Sequence, residues 1–204
     1  KMANNFVLKK IIAELLNKTK ASKSSSKKPR SKRQKKTLPQ HFEEVTSLVP
    51  LLSEKRADNS NQWLEVGFCL HDIDAKYLPL WIEFSKKSKK FQNGECERKW
   101  KGFRSGNWKL GSLYWWAKED SPKEYIEFLI RQTDPIVEES IRNRIAGTSY
   151  DVARVVQKRF QWEFVCASIQ FKQWYHFNGT KWDMLDRGVV LREHLSNDIF
   201  KQYC

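Results

Sequence analysis

What this sequence has little of narrows its chemistry. Only four cysteines occur, Cys69, Cys96, Cys166 and Cys204, far apart and with no C-x-x-C pair. That spacing argues against a disulfide framework and against a cysteine-rich zinc site. No apolar run approaches the ~20 residues that a bilayer-spanning helix needs. The apolar part of Phe6 to Leu16 is broken by Lys9, Lys10 and Glu14 and leads into a polybasic run, not a small-residue cleavage site, so it does not read as a secretory signal. An intracellular, reducing compartment is the simplest reading. A phosphate-cradling G-x-x-x-x-G-K-[ST] loop is also missing. Gly102-Phe103-Arg104-Ser105-Gly106 sets its glycines too close together and continues into Asn107, so this chain is not expected to hydrolyse ATP by itself. His41, His176 and His194 have no Ser or Cys at a recognisable spacing, which leaves hydrolytic catalysis without support.

Acidic residues are scarce at the front. Residues 1–57 hold 15 Lys/Arg against 4 Asp/Glu, a net +11, whereas residues 58–204 hold 23 against 20, a net +3. The basic excess therefore belongs to a tail, and a basic tail favours an anionic partner, most often nucleic acid and less often an acidic membrane surface. Residues 1–17 read as an amphipathic helix, with Phe6, Leu8, Ile11, Ile12, Leu15 and Leu16 at near-helical spacing. Residues 18–37 contain ten Lys/Arg, five Ser and no large apolar residue. With nothing to bury, they are expected to form a disordered linker. Within it Lys27, Lys28, Arg30, Lys32, Arg33, Lys35 and Lys36 suit a phosphate-binding arm, a nuclear-localisation signal or a solvated tether.

The remainder is expected to be mostly α with a small β-hairpin: a helical bundle module over 38–122, then a small α+β domain over 123–204. Residues 40–53 carry a helical apolar stripe that Pro50 should kink or end. Asp58-Asn59-Ser60 supplies N-cap residues for a helix from Trp63 to Leu70, His71 to Asp74 reads as a loop, and Tyr77 to Ser85 as a helix. Further helices are expected over Glu95 to Phe103 and Leu110 to Lys118, with a Gly106-Asn107 turn between them. Glu124 to Arg144 is helical, with Asp134-Pro135 starting a new helix, and Ser149 reads as the cap of Tyr150 to Phe160. Glu163 to Cys166, Gln173 to Phe177 and Lys181 to Leu185 are β-rich, Asn178-Gly179 marks a hairpin, and a last helix runs from Val189 to Tyr203.

The ordered set Trp63, Gly67, Leu70, Leu80-Trp81, Phe84-Ser85-Lys86-Lys87-Ser88, Cys96, Trp100, Phe103, Gly111-Ser112-Leu113 and Ala117 resembles the primase C-terminal type 2 domain. One departure is Trp108-Lys109-Leu110 before Gly111, where that family often has a Thr. Trp174 to Trp182 followed by a helix resembles the small domain that precedes the superfamily 3 helicase core in poxvirus-type primase-helicases. Together the two resemblances imply a non-catalytic connector in a viral DNA primase-helicase. Its partners would be DNA, an upstream primase domain, a downstream helicase domain and further copies in a ring, with no membrane. The host cytoplasm (a viral factory) or the nucleus would be its location, with ATP and Mg needed only by catalytic domains elsewhere in a longer protein. The alternative is a stand-alone nucleic-acid-binding replication accessory using its basic arm.

Three groupings remain as candidate chemistry. Asp72-Ile73-Asp74 has the D-x-D spacing of two-metal sites but suits a helix end equally well. Cys69, His71 and Cys96 offer three zinc ligands at most, against a plain core reading. The third is electrostatic: Lys86, Lys87, Lys89, Lys90, Arg98, Lys99, Lys101 and Arg104, with Lys109 beyond, punctuate a segment holding six tryptophans between Trp63 and Ala117. If cations and exposed rings share a face, that surface can track a nucleic-acid backbone and stack bases. The bland reading is that each Trp is core and the lysines are a solvated face.

Overall fold

The computed structural model describes residues 38–104, 108–142 and 148–204. The amphipathic stretch 1–17, the basic stretch 18–37 and the Gly106-Asn107 turn lie outside the described residues. The chain forms two compact units, the first ending at Phe128 and the second holding Leu129 onward. Among the described residues it is mostly helical, with one small antiparallel sheet.

The first unit contains α1 (Leu38–Leu48), α2 (Glu54–Asp58), α3 (Ser60–Ile73), α4 (Leu78–Ser85), α5 (Glu95–Gly102) and α6 (Leu110–Asp120). Pro50 stops α1 as expected: the chain tightens into a 3-10 turn over Val49–Leu51, because a prolyl nitrogen has no N–H to give the helix. The short α2 has no apolar periodicity and is set by its ends. The Ser53 side chain accepts from the Arg56 amide, and Arg56 is held from outside. Asn59 caps α3 by accepting from the Asn61 and Gln62 amides.

The expected loop at His71 to Asp74 is instead the last turn of α3. Its helical conformation is held by packing, since the Phe68 ring lies 4.2 Å from Phe103 and the His71 ring 5.1 Å from Trp100. Asp74 ends α3 and its carboxylate accepts from the Lys76 amide, starting the 3-10 turn Ala75–Tyr77. Val45, Leu48, Leu52, Val66, Leu70, Phe84 and Leu113 fill the core around Trp81, which is 0% exposed. Each such side chain contributes roughly 1.5–3 kcal/mol when fully buried.

Helix α7 (Pro122–Arg142) is continuous through Pro135, where the sequence predicts a helix start. Proline's φ is already helical and Pro135 is exposed, so the helix carries it at the loss of one backbone hydrogen bond and a steric cost against the preceding turn. In the second unit α8 (Ser149–Phe160) is capped by Thr148, whose side chain accepts from the Asp151 amide; Ser149 is its first residue. The sheet has three strands and so extends the expected hairpin: β1 (Phe164–Ser168), β2 (Gln173–Phe177) and β3 (Trp182–Leu185), in the order β1-β2-β3. Asn178 builds the β2–β3 turn by accepting from the Thr180 and Lys181 amides through its side-chain oxygen.

The final helical stretch comprises α9 (Val189–His194), a π segment (Leu195–Ile199) and α10 (Phe200–Tyr203). Phe164, Val137, Val152, Val155, Phe160, Leu191, Leu195 and Ile199 make the second core. Gln202 ties three helices by donating to Thr133 (2.7 Å) and Asp134 (2.9 Å) and accepting from Arg159 (3.1 Å).

Candidate nucleic-acid interface

The tryptophans decide which surface is left for a ligand. Trp81 stacks on Trp63 with ring centroids 4.8 Å apart and lies 5.6 Å from Trp100 and 5.3 Å from Phe103. Packing is close enough that a Cβ on Gly67 would come within 2.6 Å of the Trp81 ring. The Trp81 indole N–H donates to the Trp63 carbonyl (3.2 Å), and one hydroxyl gathers the neighbouring polar groups. Ser85 Oγ accepts from the Trp63 indole N–H (2.7 Å) and the Cys96 thiol (3.3 Å) and donates to the Trp81 carbonyl (2.6 Å). Trp81, Trp100 and Trp116 are therefore core, while Trp63, Trp108 and Trp115 are half-buried.

The cations divide into two groups. Lys87 is half-buried and its ammonium donates to the carbonyls of Pro50 (2.7 Å) and Leu52 (2.5 Å); burial pulls its pKa down, against the opposing pull of Asp120. Lys90 donates to the Asp58 carbonyl (3.0 Å), Ser88 donates its hydroxyl to the Asp58 carboxylate, and the Lys90 amide donates to Ser88 Oγ. The segment after α4 is thus stapled to the ends of the 3-10 turn and of α2, where carbonyls lack helical partners. Nothing local in the sequence signals the bonds to Pro50, Leu52 and Asp58, since these partners lie 30 or more residues away.

The other cations face outward. Lys86 pairs with Glu83 (2.5 Å) and Arg98 with Glu95 (3.7 Å), both at the surface. Lys89, Lys99, Lys101 and Arg104 are exposed, and among the described residues none has a carboxylate partner. Helix α5 explains the clustering: Cys96 and Trp100 point inward at i, i+4, which forces Arg98, Lys99 and Lys101 to the other side. The candidate arm from Lys27 to Lys36 lies outside the described residues.

The other two groupings are absorbed by the fold. Cys69 donates to the Lys109 carbonyl (3.4 Å), and burial pushes its thiol up to about 12. Cys96 is held by Ser85, and His71 packs against Trp100 and Phe103. Among the described residues no group of three His, Cys, Asp or Glu is placed to hold a metal ion.

One strong electrostatic feature was not legible in the sequence. Arg56, 4% exposed, donates to Asp120 through Nε (2.8 Å) and Nη2 (2.9 Å) and to Glu119 (2.7 Å), with its guanidinium 5.4 Å from the centre of the Trp116 ring. Burial alone would lower the Arg56 pKa, but Asp120 and Glu119 raise it; burial alone would raise Asp120, but Arg56 and Ser53 hold it below the usual carboxylate range. This fork fastens α2 to the end of α6.

The same segment is matched in known proteins. Residues 45–117 match the model of the Primase C terminal 2 (PriCT-2) family. This segment is a PriCT-2 module. It holds the tryptophan core, the stapled lysines and the basic face of α5. The chain is also similar to an Acanthamoeba polyphaga mimivirus protein named "Putative helicase L207/L206", 31% identical over 163 residues, or 78% of this chain and 17% of the relative. A frog virus 3 (isolate Goorha) protein named "Putative helicase 022R" is 31% identical over 156 residues, 74% of this chain and 15% of its own. "Putative helicase 121R" of invertebrate iridescent virus 3 is 28% identical over 180 residues, 78% of this chain and 19% of its own. These alignments are longer than the PriCT-2 module, so the likeness extends past it. The chain spans about one sixth of the length of the curated relatives it matches. Its likeness is thus to a primase C-terminal family model over residues 45–117 and, over a longer stretch, to proteins of large DNA viruses named as putative helicases. No helix among the described residues is long and apolar enough to cross a membrane.

Proposed function

We propose that this chain is the connector region of a viral DNA primase-helicase, positioning a primase domain and a helicase domain while its PriCT-2 module holds single-stranded DNA. The observation that carries this reading is the order of parts: a PriCT-2 module, then a second unit, within one alignment to proteins named as helicases. The DNA contact is assigned to the outward cations Lys99, Lys101, Arg104, Arg98, Lys86 and Lys89, with the arm Lys27 to Lys36 adding sequence-independent attraction. ATP, Mg and ring assembly then belong to the flanking catalytic domains, and the protein works where viral DNA is copied. Lys87 and Lys90 hold the module's shape and contribute less to DNA affinity.

Titration with a fluorescent single-stranded oligonucleotide at two salt concentrations tests this reading. K99E/K101E is expected to weaken binding and to flatten the slope of log affinity against log salt by about 0.7 for each phosphate no longer neutralised, leaving the thermal transition unchanged. Binding that vanishes on deleting residues 1–37 and ignores the double reversal would support the other reading, an accessory protein that works through its basic arm.

A further inference from the structure

A cleft of about 110 Å³ opens in the PriCT-2 module beside the α4–α5 connection. Its lining includes the half-buried Trp63, Phe91, Asp58, Glu95, Lys90 and Gln92. The volume is below the ~300–1,000 Å³ usual for drug-sized ligands, so it suits one small planar group. Two aromatic rings supply faces to stack on. One face of Trp63 is already covered by Trp81, which fixes the ring and leaves stacking on it with little ordering cost.

The polar groups in the cleft are unequal. Asp58 has one carboxylate oxygen engaged by the Ser88 hydroxyl, while no described residue donates to the other. Glu95, also on the cleft, has only the long contact to Arg98 at 3.7 Å. Two carboxylates lining an aromatic slot present acceptors, and acceptors select ligand edges rich in N–H donors. They also repel phosphate, so a phosphate is favoured outside, near Lys89 and the exposed cations of α5.

We propose that this cleft takes one unstacked base of the single strand, with preference for bases bearing an exocyclic amino group over thymine. This rests on the reading that the module holds single-stranded DNA, and it adds a base pocket to the backbone contacts. The Asp58 carboxylate accepts from the amino group, Phe91 and Trp63 supply the stack, and the strand leaves along α5 over Arg98 and Lys101.

The test uses the full chain and fluorescent homopolymers of dC, dA and dT of equal length. Wild type is expected to bind dC and dA more tightly than dT, and binding should quench Trp63 fluorescence. Phe91→Ala is expected to weaken dC and dA binding roughly five- to a hundredfold, the range that removal of a base stack gives. Asp58→Asn keeps the acceptor for Ser88 while turning the free oxygen into a donor, and is expected to narrow or invert the preference for dC over dT. Equal affinity for all three strands, unchanged by Phe91→Ala, would overturn the base pocket while leaving the backbone contacts standing. Absence of salt-sensitive binding to any strand would overturn both. Competition by free dCMP as effective as by the dC strand would overturn the strand assignment.

Discussion

The two units place their aromatic mass on opposite sides of their surfaces. In the PriCT-2 module Trp81, Trp100 and Trp116 are buried, and α5 turns Arg98, Lys99 and Lys101 outward alongside Glu97. In the second unit one sheet face packs on the core through Phe164, Trp174 and Leu185. The other face presents the row Val165, Tyr175 and Met184, paired across the three strands, and the adjacent pair Phe177 and Trp182. Phe171 is 71% exposed, Met184 67% and Ile169 60%. Exposed apolar rows of this kind are surfaces that proteins use for contact with other molecules. The difference teaches that the first unit turns mainly charge outward from α5, whereas the second leaves one sheet face apolar.

The largest test of that contrast is Trp81→Ala, expected to destabilise the first unit by about 4 kcal/mol because Trp63, Trp100 and Phe103 are all deprived of a packing partner. Urea unfolding followed by near-ultraviolet circular dichroism reads this, and a change below about 1 kcal/mol would mean the aromatic cluster is not the core. Arg56→Ala comes next at about 3 kcal/mol, since Asp120 is left buried without its cation. pH adds a sign. Asp120 has a folded-state pKa below its unfolded value, so its stabilisation is present above the unfolded value near 3.8 and is lost as pH falls through the folded one. Acid titration of wild type should show that loss, and Arg56→Ala should largely lack it. Gly67→Ala follows at about 2 kcal/mol in the same urea experiment, because the new methyl overlaps the rigid Trp81 ring. The counterpart of Arg56 in the second unit is far weaker: Arg154→Ala removes a surface pair to Glu139 and is expected to cost at most about 0.5 kcal/mol.

Helix positions were legible wherever apolar spacing, a cap or a proline acted locally: Pro50 ending α1, Asn59 opening α3, Asn178 turning β2 into β3. What escaped depended on distant partners. Helix α2 has five residues and no apolar stripe, and it is held by an ion pair to residues more than 60 positions away. The last turn of α3 looked polar because His71 and Asp72 are polar, yet His71 packs on rings from α5 and just beyond it. The same limit applied to the lysines. Sequence shows a run of charges, whereas the sorting of Lys87 and Lys90 onto carbonyls from Lys89, Lys99 and Lys101 at the surface is a product of folding.

The effect that is small in stability sharpens the contrast most. Met184 sits at the β3 end of the outward apolar row, and its register partner Tyr175 is half-buried. Placing a charge there disturbs no core packing, so Met184→Lys is expected to change stability by no more than about 0.5 kcal/mol. It should at the same time reduce binding of a hydrophobic dye, because it shortens the apolar row that Val165 and Tyr175 continue. Both readouts are needed, since stability alone does not distinguish an idle face from a docking one. Destabilisation by about 2 kcal/mol or more would mean that the face is packed in solution, and the second unit would then be as fully covered as the first. A small change with reduced dye binding keeps the contrast: charge directs the PriCT-2 module to its partner, and apolar area directs the sheet to another.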